Sequence, residues 1–161
     1  DQFKASKSQK RLLKKNCEFE IKISEQRQPY YYALYEKYIN TVHKDGTMFP
    51  ANFQQYQSFI DCNLTNQLFI EIWHKQQLIS VAVTDELEDA LSAVYTFYHP
   101  AYRSQGIGVF SILSQIKLAQ QMNKAFLYLG YQIDQCQKMN YKNRFYPHQI
   151  LTKNTWLTIN K

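Results

Sequence analysis

A chain of 161 residues has room for one domain with a real core. At 45% hydrophobic and 20% charged residues it lies near globular averages, which excludes disorder and fibrous repeats as descriptions of the whole. The longest apolar runs, 78–83 and 125–131, are too short to cross a bilayer and the first residues form no apolar signal core, so a soluble, cytoplasmic protein without a membrane partner is expected.

The net charge of +6 is concentrated at one end. Residues 1–16 hold six basic side chains (Lys4, Lys7, Lys10, Arg11, Lys14 and Lys15) against Asp1, whereas the rest of the chain is close to neutral. Such a patch suits a polyanion, and a solvated helix face gives the same count. Cys17, Cys62 and Cys136 form no C-x-x-C pair and have no clustered histidines, so no metal is implied, and each is expected to be a reduced, buried, small apolar residue.

In chain order, Ser6 and Ser8 are N-cap residues for a short basic helix ending near Asn16, with Leu12 and Leu13 as its apolar anchors. Phe19, Ile21 and Ile23 alternate with polar residues as in a half-buried strand. Pro29 opens a helix with an apolar face of Tyr31, Leu34, Tyr35, Tyr38, Ile39 and Val42, stopping near Asp45-Gly46; Phe53, Tyr56, Phe59 and Ile60 suggest another. Residues 68–73, 78–84 and 91–98 read as three antiparallel strands, the acids between Asp85 and Asp89 forming a solvated turn. A helix follows over 106–122 with the stripe Val109, Ile112, Leu113, Ile116 and Ala119, then a buried strand over 125–133. The tail gives a helix-like stretch around 136–143 and two short strands, 150–151 and 156–159, about the Lys153-Asn154 turn. The fold class is α/β (α+β), a mixed and mostly antiparallel sheet flanked by helices.

The most informative junction is Arg103-Ser104-Gln105-Gly106-Ile107-Gly108, between a strand and a helix. This R-x-x-G-x-G string lets backbone approach a ligand closely, aims free helix amides at it and adds a guanidinium, which makes an anion cradle. Its setting resembles the GNAT acyltransferases, in which the loop holds the pyrophosphate of acetyl-coenzyme A.

Four further strings carry a second resemblance over nearly the whole chain: Ser6-Lys7-Ser8-Gln9-Lys10-Arg11 through Asn16; His43-Lys44-Asp45-Gly46-Thr47-Met48; Leu91-Ser92-Ala93-Val94-Tyr95-Thr96-Phe97-Tyr98; and Tyr128-Leu129-Gly130-Tyr131-Gln132-Ile133 with Cys136, Lys138, Met139, Tyr141, Lys142, Phe145 and Pro147. In that order they are similar to the arginyl-tRNA protein transferase family, in its bacterial aspartate/glutamate leucyltransferase branch. The resemblance implies a single GNAT-like domain over 1–161, with the basic segment 1–16, that uses aminoacyl-tRNA as co-substrate and adds an amino acid, leucine in this branch, to an N-terminal Asp or Glu of an acceptor protein, marking it for degradation. No cofactor is expected in this domain. The family's cysteine-bearing first module, with its C-x-x-C pair, is expected to precede this sequence and to be absent from it.

Aminoacyl transfer from a tRNA ester needs proximity, oxyanion donors and a proton for the departing ribose oxygen, but no strong base. On the family pattern the reacting carbonyl lies beside 95–97, with Tyr95 and Tyr131 as catalytic polar groups and Thr96, Phe97, Arg103, Gly106 and Gly108 at the tRNA 3′ end. Lys7, Lys10, Arg11, Lys14 and Lys15 would neutralise tRNA phosphates. Lys138 and Lys142, four apart on a helix, with Arg144, would face the acidic acceptor residue, and His43 and Asp45 join them by resemblance. Two other readings stay open at this point: an acetyl-coenzyme A dependent N-acetyltransferase, and a non-catalytic RNA-binding module.

Overall fold

A computed structural model of the chain describes residues 2–61, 64–133, 135 and 137–160, the side chains of 137 and 138 excepted. Helix α1 (Lys7–Lys15) leads into strand β1 (Glu20–Ser24), helices α2 (Tyr31–Val42) and α3 (Phe53–Ile60), and strands β2 (Asn66–His74), β3 (Gln77–Glu86) and β4 (Ala90–Tyr98). A 3₁₀ turn, Pro100–Gln105, then meets helix α4 (Ile107–Gln121) and strand β5 (Phe126–Tyr128). A second 3₁₀ stretch, Gln137–Arg144, precedes a hairpin of β6 (His148–Thr152) and β7 (Thr155–Ile159). The main sheet runs β1-β2-β3-β4-β5, antiparallel except for the parallel β4–β5 pair that α4 connects.

Alternation along the strands assigns the two faces. On one, Phe69, Val81, Val83 and Phe97 meet Tyr31, Tyr35, Tyr38 and Ile39 of α2 and Tyr56 and Ile60 of α3 in an aromatic core. On the other, Ile72 and Ile79 meet Phe19, Ile107 and Phe110, while Leu68 and Leu91 meet Ala119. Ile79 reaches that second face because it is the extra residue of a bulge, Ile72 pairing with Ser80 and Trp73 with Leu78.

Four of the five residues in the apolar stripe that sequence reading assigned to α4 pack mainly on the two ends of the chain, together with Leu127 of β5, whereas the fifth, Ala119, meets Leu68 and Leu91 on the sheet. Val109, Ile112, Leu113 and Ile116 pack against Phe3, Leu12, Tyr141 and Phe145, from the two ends of the chain. Toward the sheet, α4 offers Ser111 and Gln115, both fully buried: Ser111 Oγ is 3.4 Å from Ser80 Oγ, and Gln115 Oε1 accepts from Thr84 Oγ1 at 3.2 Å. Covered on two sides, α4 leaves only Lys117, Gln120 and Gln121 in its last turns exposed, so no single stripe marks its buried surface.

Other expectations shift in detail. Strand β1 is an edge strand with Ile21 and Ile23 40% and 44% exposed, so it is less buried than its alternation suggested. The buried strand expected over 125–133 pairs only at Phe126–Tyr128, with both terminal rings outward, and Gly130 with φ +72° lies in the chain that follows. Residues Gln137–Arg144 form a 3₁₀ stretch, and the Lys153-Asn154 turn has positive φ at both positions, as a two-residue hairpin of this twist requires. Cys17 is exposed, against the expectation of burial, and Cys62 and Cys136 lie outside the described residues. The acidic turn is tied down: Lys124 pairs with Glu86 at 3.0 Å and donates to the Leu87 carbonyl at 2.7 Å. Among the described residues no helix is long and apolar enough to cross a membrane, and no group of three His, Cys, Asp or Glu could hold a metal ion.

Candidate active site

Two irregularities open the sheet where the chemistry was expected. In β4 the register steps from Tyr95 opposite Val83 to Ala93 opposite Thr84, leaving Val94 as a bulge. In the neighbouring pair, the ladder between β4 and β5 ends at Ser92 and Tyr128, so beyond the bulge β4 has no strand partner on that side among the described residues. A bulge frees backbone polar groups from the ladder and re-aims side chains, giving a notch lined by peptide donors and acceptors.

The expected residues divide around this notch. Tyr95 stacks on Phe59 at 4.8 Å and its hydroxyl donates to Met48 Sδ at 3.4 Å, a weak acceptor. Burial pushes the Tyr95 pKa well up, so the hydroxyl keeps its proton. Phe97 is wholly buried between Tyr35 and Tyr56, so its ring belongs to the core and is closed to a ligand. Thr96 is half-buried beside it. Tyr131 has a ring 79% exposed and contributes its carbonyl, which accepts from Lys142 Nζ at 2.8 Å. Burial lowers the Lys142 pKa. Residues around Lys142 form a 3₁₀ stretch and not the α-helix on which residues four apart align, and the Lys138 side chain lies outside the described ones. Arg144 is exposed, and its carbonyl accepts from Gln9 Nε2 at 3.1 Å.

A constellation that sequence reading missed stands at the other rim. His43, the residue closing α2, sits 2.9 Å from the Tyr38 hydroxyl through Nε2, and Tyr38 packs on Tyr98 at 4.8 Å. Burial raises the pKa of both tyrosines, and the positive charge of Arg103 partly opposes it. Tyr38 was read as one more apolar position on α2; only the docking of that helix on β4 reveals its polar end. Asp45, in the same loop as His43, is exposed. Nearby, His99 Nδ1 accepts from the Ala101 amide at 3.2 Å and its Nε2 lies 2.8 Å from Lys37 Nζ. A neutral imidazole has one acceptor nitrogen, so these donors compete for it, and burial together with Lys37 lowers the His99 pKa.

The glycine loop has an occupant from its own chain. Gly106 has φ +65°, and a β-carbon there would come within 3.0 Å of Leu12 Cδ1. Lys15 Nζ donates to the Ser104 carbonyl at 2.9 Å and Asn16 Nδ2 to that of Gln105 at 2.9 Å. Gly106 thus meets Leu12 where sequence reading put a ligand, while a β-carbon on Gly108 would have open space. Helix α1 begins with a capping box, Ser6 and Gln9 exchanging bonds, and turns Gln9, Leu12 and Asn16 inward. Lys7, Lys10, Arg11, Lys14 and Lys15 all lie on its exposed surface.

The mixed sheet with a bulged fourth strand and a parallel crossover is the GNAT fold. An aminoglycoside acetyltransferase from an uncultured soil metagenomic sample aligns with a TM-score of 0.57 at 12% identity, over 90% of this chain and 99% of that one. The ribosomal-protein-S18-alanine N-acetyltransferase of Escherichia coli aligns at 0.54 and 15%, over 77% and 75% of the two chains. At these identities the likeness is one of fold.

Sequence comparison narrows the class. The family described as arginine-tRNA-protein transferase, C terminus, matches residues 30–152. The aspartate/glutamate leucyltransferase of Pseudoalteromonas atlantica is 50% identical over 159 residues, 99% of this chain and 69% of that protein. Its counterpart in Aeromonas hydrophila is 42% identical over 159 residues, 99% and 67% of the two. The chain therefore belongs to the arginine-tRNA-protein transferase family, in its bacterial branch, and spans about two thirds of the length of these relatives.

Proposed function

We propose that this chain carries the transferase centre of an aminoacyl-tRNA protein transferase that moves leucine from charged tRNA to an N-terminal Asp or Glu of an acceptor protein in the cytoplasm, marking that protein for degradation. The observation that carries this reading is 50% identity over 99% of the chain to a protein named for that reaction. The geometry supports it. The ester carbonyl fits beside the Val94 bulge, where β4 peptide groups without a β5 partner can donate to the tetrahedral oxyanion. Tyr95, held protonated by burial and bonded only weakly to Met48, is suited to donate to the departing ribose oxygen. The attacking α-amine has a pKa near ~8 and needs no strong base at neutral pH.

Arg103, whose charge acts on Tyr38 and Tyr98, is suited to the terminal nucleotide of the donor, with Thr96 on the adjoining strand and His43 beside Tyr38. Lys142 gives one of its three N–H groups to the Tyr131 carbonyl and has two left for the acidic side chain of the acceptor. A groove of about 1610 Å³ leads from Lys142 past Tyr128 and Phe145 to Trp156, room for the acceptor's leading residues. The tRNA backbone would lie along the basic face of α1.

The test is transfer of radiolabelled leucine from leucyl-tRNA to peptides beginning with Asp, Glu or Ala, using the full-length protein. Label in the first two peptides and not the third is expected. No label in any of them removes the reading.

A further inference from the structure

Just past the Val94 bulge, the ring of Tyr95 meets two apolar side chains from separate elements. Phe59 of α3 lies against it with ring centroids 4.8 Å apart and planes tilted by 34°, and Met48, in the loop joining α2 to α3, brings its Sδ to 3.4 Å from the hydroxyl. All three side chains are half-buried, so each keeps part of its apolar surface open, and all three rest on the closed core of Tyr35, Tyr56 and Phe97. Phe59 is backed by Tyr35 at 5.6 Å and Tyr56 at 5.7 Å, which fixes its ring, whereas the unbranched thioether of Met48 can adapt to what it meets.

This wall carries no charge. Burial and, after it, Tyr35 raise the pKa of Tyr95, and no acidic or basic side chain among the described residues acts on it. The neighbouring tyrosines differ: Tyr38 and Tyr98 feel Arg103, and Tyr56 feels Arg27 and Asp61. Tyr35 is wholly buried and brings only a neutral hydroxyl, and Lys44 and Asp45, in the same loop as Met48, are exposed. Aminoacyl transfer brings two side chains to the notch, an aliphatic one on the donor and an acidic one on the acceptor, and they need opposite surroundings. A carboxylate set against Met48, Phe59 and Tyr95 would lose water and find no cation, and a guanidinium would find no carboxylate; an isobutyl group loses nothing polar and gains apolar contact. The donor side chain also begins only a few ångströms from the ester oxygen, since just the carbonyl and the α-carbon separate them.

We infer that Met48, Phe59 and the ring of Tyr95 form the donor side-chain site, which selects the leucyl group and rejects charged aminoacyl groups. The acidic residue of the acceptor is left to Lys142, so the two substrates are sorted by charge. This assignment rests on the transferase reading above and adds to it the residues that choose the donated amino acid.

The test supplies the full-length protein with one tRNA charged in turn with leucine, alanine or arginine, so that only the aminoacyl group varies, and measures kcat/KM with a peptide beginning with Asp. In the unaltered protein leucine should exceed both others by about a hundredfold or more, because alanine leaves the wall uncovered and arginine buries an unpaired charge. Phe59→Ala should cut the leucine-over-alanine ratio by about tenfold, with Phe59→Leu moving it the same way if the first variant does not fold. Met48→Glu should raise arginine relative to leucine by about tenfold or more, by supplying the carboxylate that the wall lacks. In every variant the preference for an Asp-initiated over an Ala-initiated acceptor should stay within about twofold, as expected of separate sites. Equal use of leucine and arginine by the unaltered protein, donor ratios unmoved in all the variants, or an acceptor preference that falls with them overturns the assignment, while leucyl transfer by the unaltered protein still upholds the transferase reading. No transfer from any charged tRNA by the unaltered protein overturns both.

Discussion

Replacing Gly106 with alanine tests the joint between α1 and α4 directly. The residue has φ +65°, and forcing an L side chain into that region costs roughly 1–2 kcal/mol. Its new methyl would also stand 3.0 Å from Leu12 Cδ1, so the leucine must give by a few tenths of an ångström, at roughly 0.5–1.5 kcal/mol more where that turns it ~30° off its rotamer. A destabilisation of about 1.5–3.5 kcal/mol follows, equivalent to a melting temperature lowered by about 3–14 °C for a chain of this size. Urea and thermal unfolding of Gly106→Ala measure it, with Gly108→Ala as the control that should melt within a degree or so of the parent. The double variant Gly106→Ala with Leu12→Ala separates the two causes: the collision is gone, the backbone cost remains, and a favourable coupling of about 0.5–1 kcal/mol is expected. If Gly106→Ala melts with the parent, or the cycle shows no coupling, the contact does not hold as described. A valine at 106, being β-branched, would have a larger backbone cost at φ +65° and a larger collision, so loss of transfer in that variant would not by itself report a blocked ligand.

Tyr95→Phe should lower the rate of leucyl transfer by about tenfold or more while leaving acceptor affinity and melting unchanged, since it removes only a proton donor; Tyr131→Phe, altering a ring 79% exposed, should stay within twofold. Glu71 is buried on β2 and accepts from Tyr31 and, at 2.8 Å, from Trp73 Nε1; Glu71→Ala strands both donors and should cost about 2–4 kcal/mol by urea denaturation. His99 has a folded pKa below its ordinary 6.5, so the unfolded chain binds more protons at mildly acid pH: its contribution is intact above 6.5 and lost as pH falls through 6.5 toward the folded value. Proton NMR of the His99 ring should show that depressed titration, and Lys37→Gln should move it upward by relieving the charge repulsion; a midpoint at or above 6.5 in the parent would refute the environment described here.

Much of this protein follows from local rules. Three strands of the meander, the crossover helix, the basic helix and the tail hairpin are legible because each carries its own pattern or turn chemistry: short apolar runs in 68–73 and 78–84 bounded by polar turns, N-capping at Ser6, and the Lys153-Asn154 turn. The GNAT class and the family were legible as well, from the glycine loop in its setting and from four strings spread along the chain.

What the sequence could not supply is which surfaces meet. A helical period reports that α4 has a stripe, and not that Val109, Ile112, Leu113 and Ile116 meet the chain ends while Ser111, Gln115 and Ala119 meet the sheet. The glycine of a phosphate-type loop is spelled the same whether a ligand or Leu12 lies against it, because φ and the need for open space are properties of the backbone at that point. Likewise Tyr38, His43, Tyr98 and Arg103 come from three separate segments, and their convergence depends on α2 docking on β4. Local propensity fixes elements over a few residues; the placement of a side chain against a neighbour fifty or ninety positions away is decided only when the elements bury their faces together.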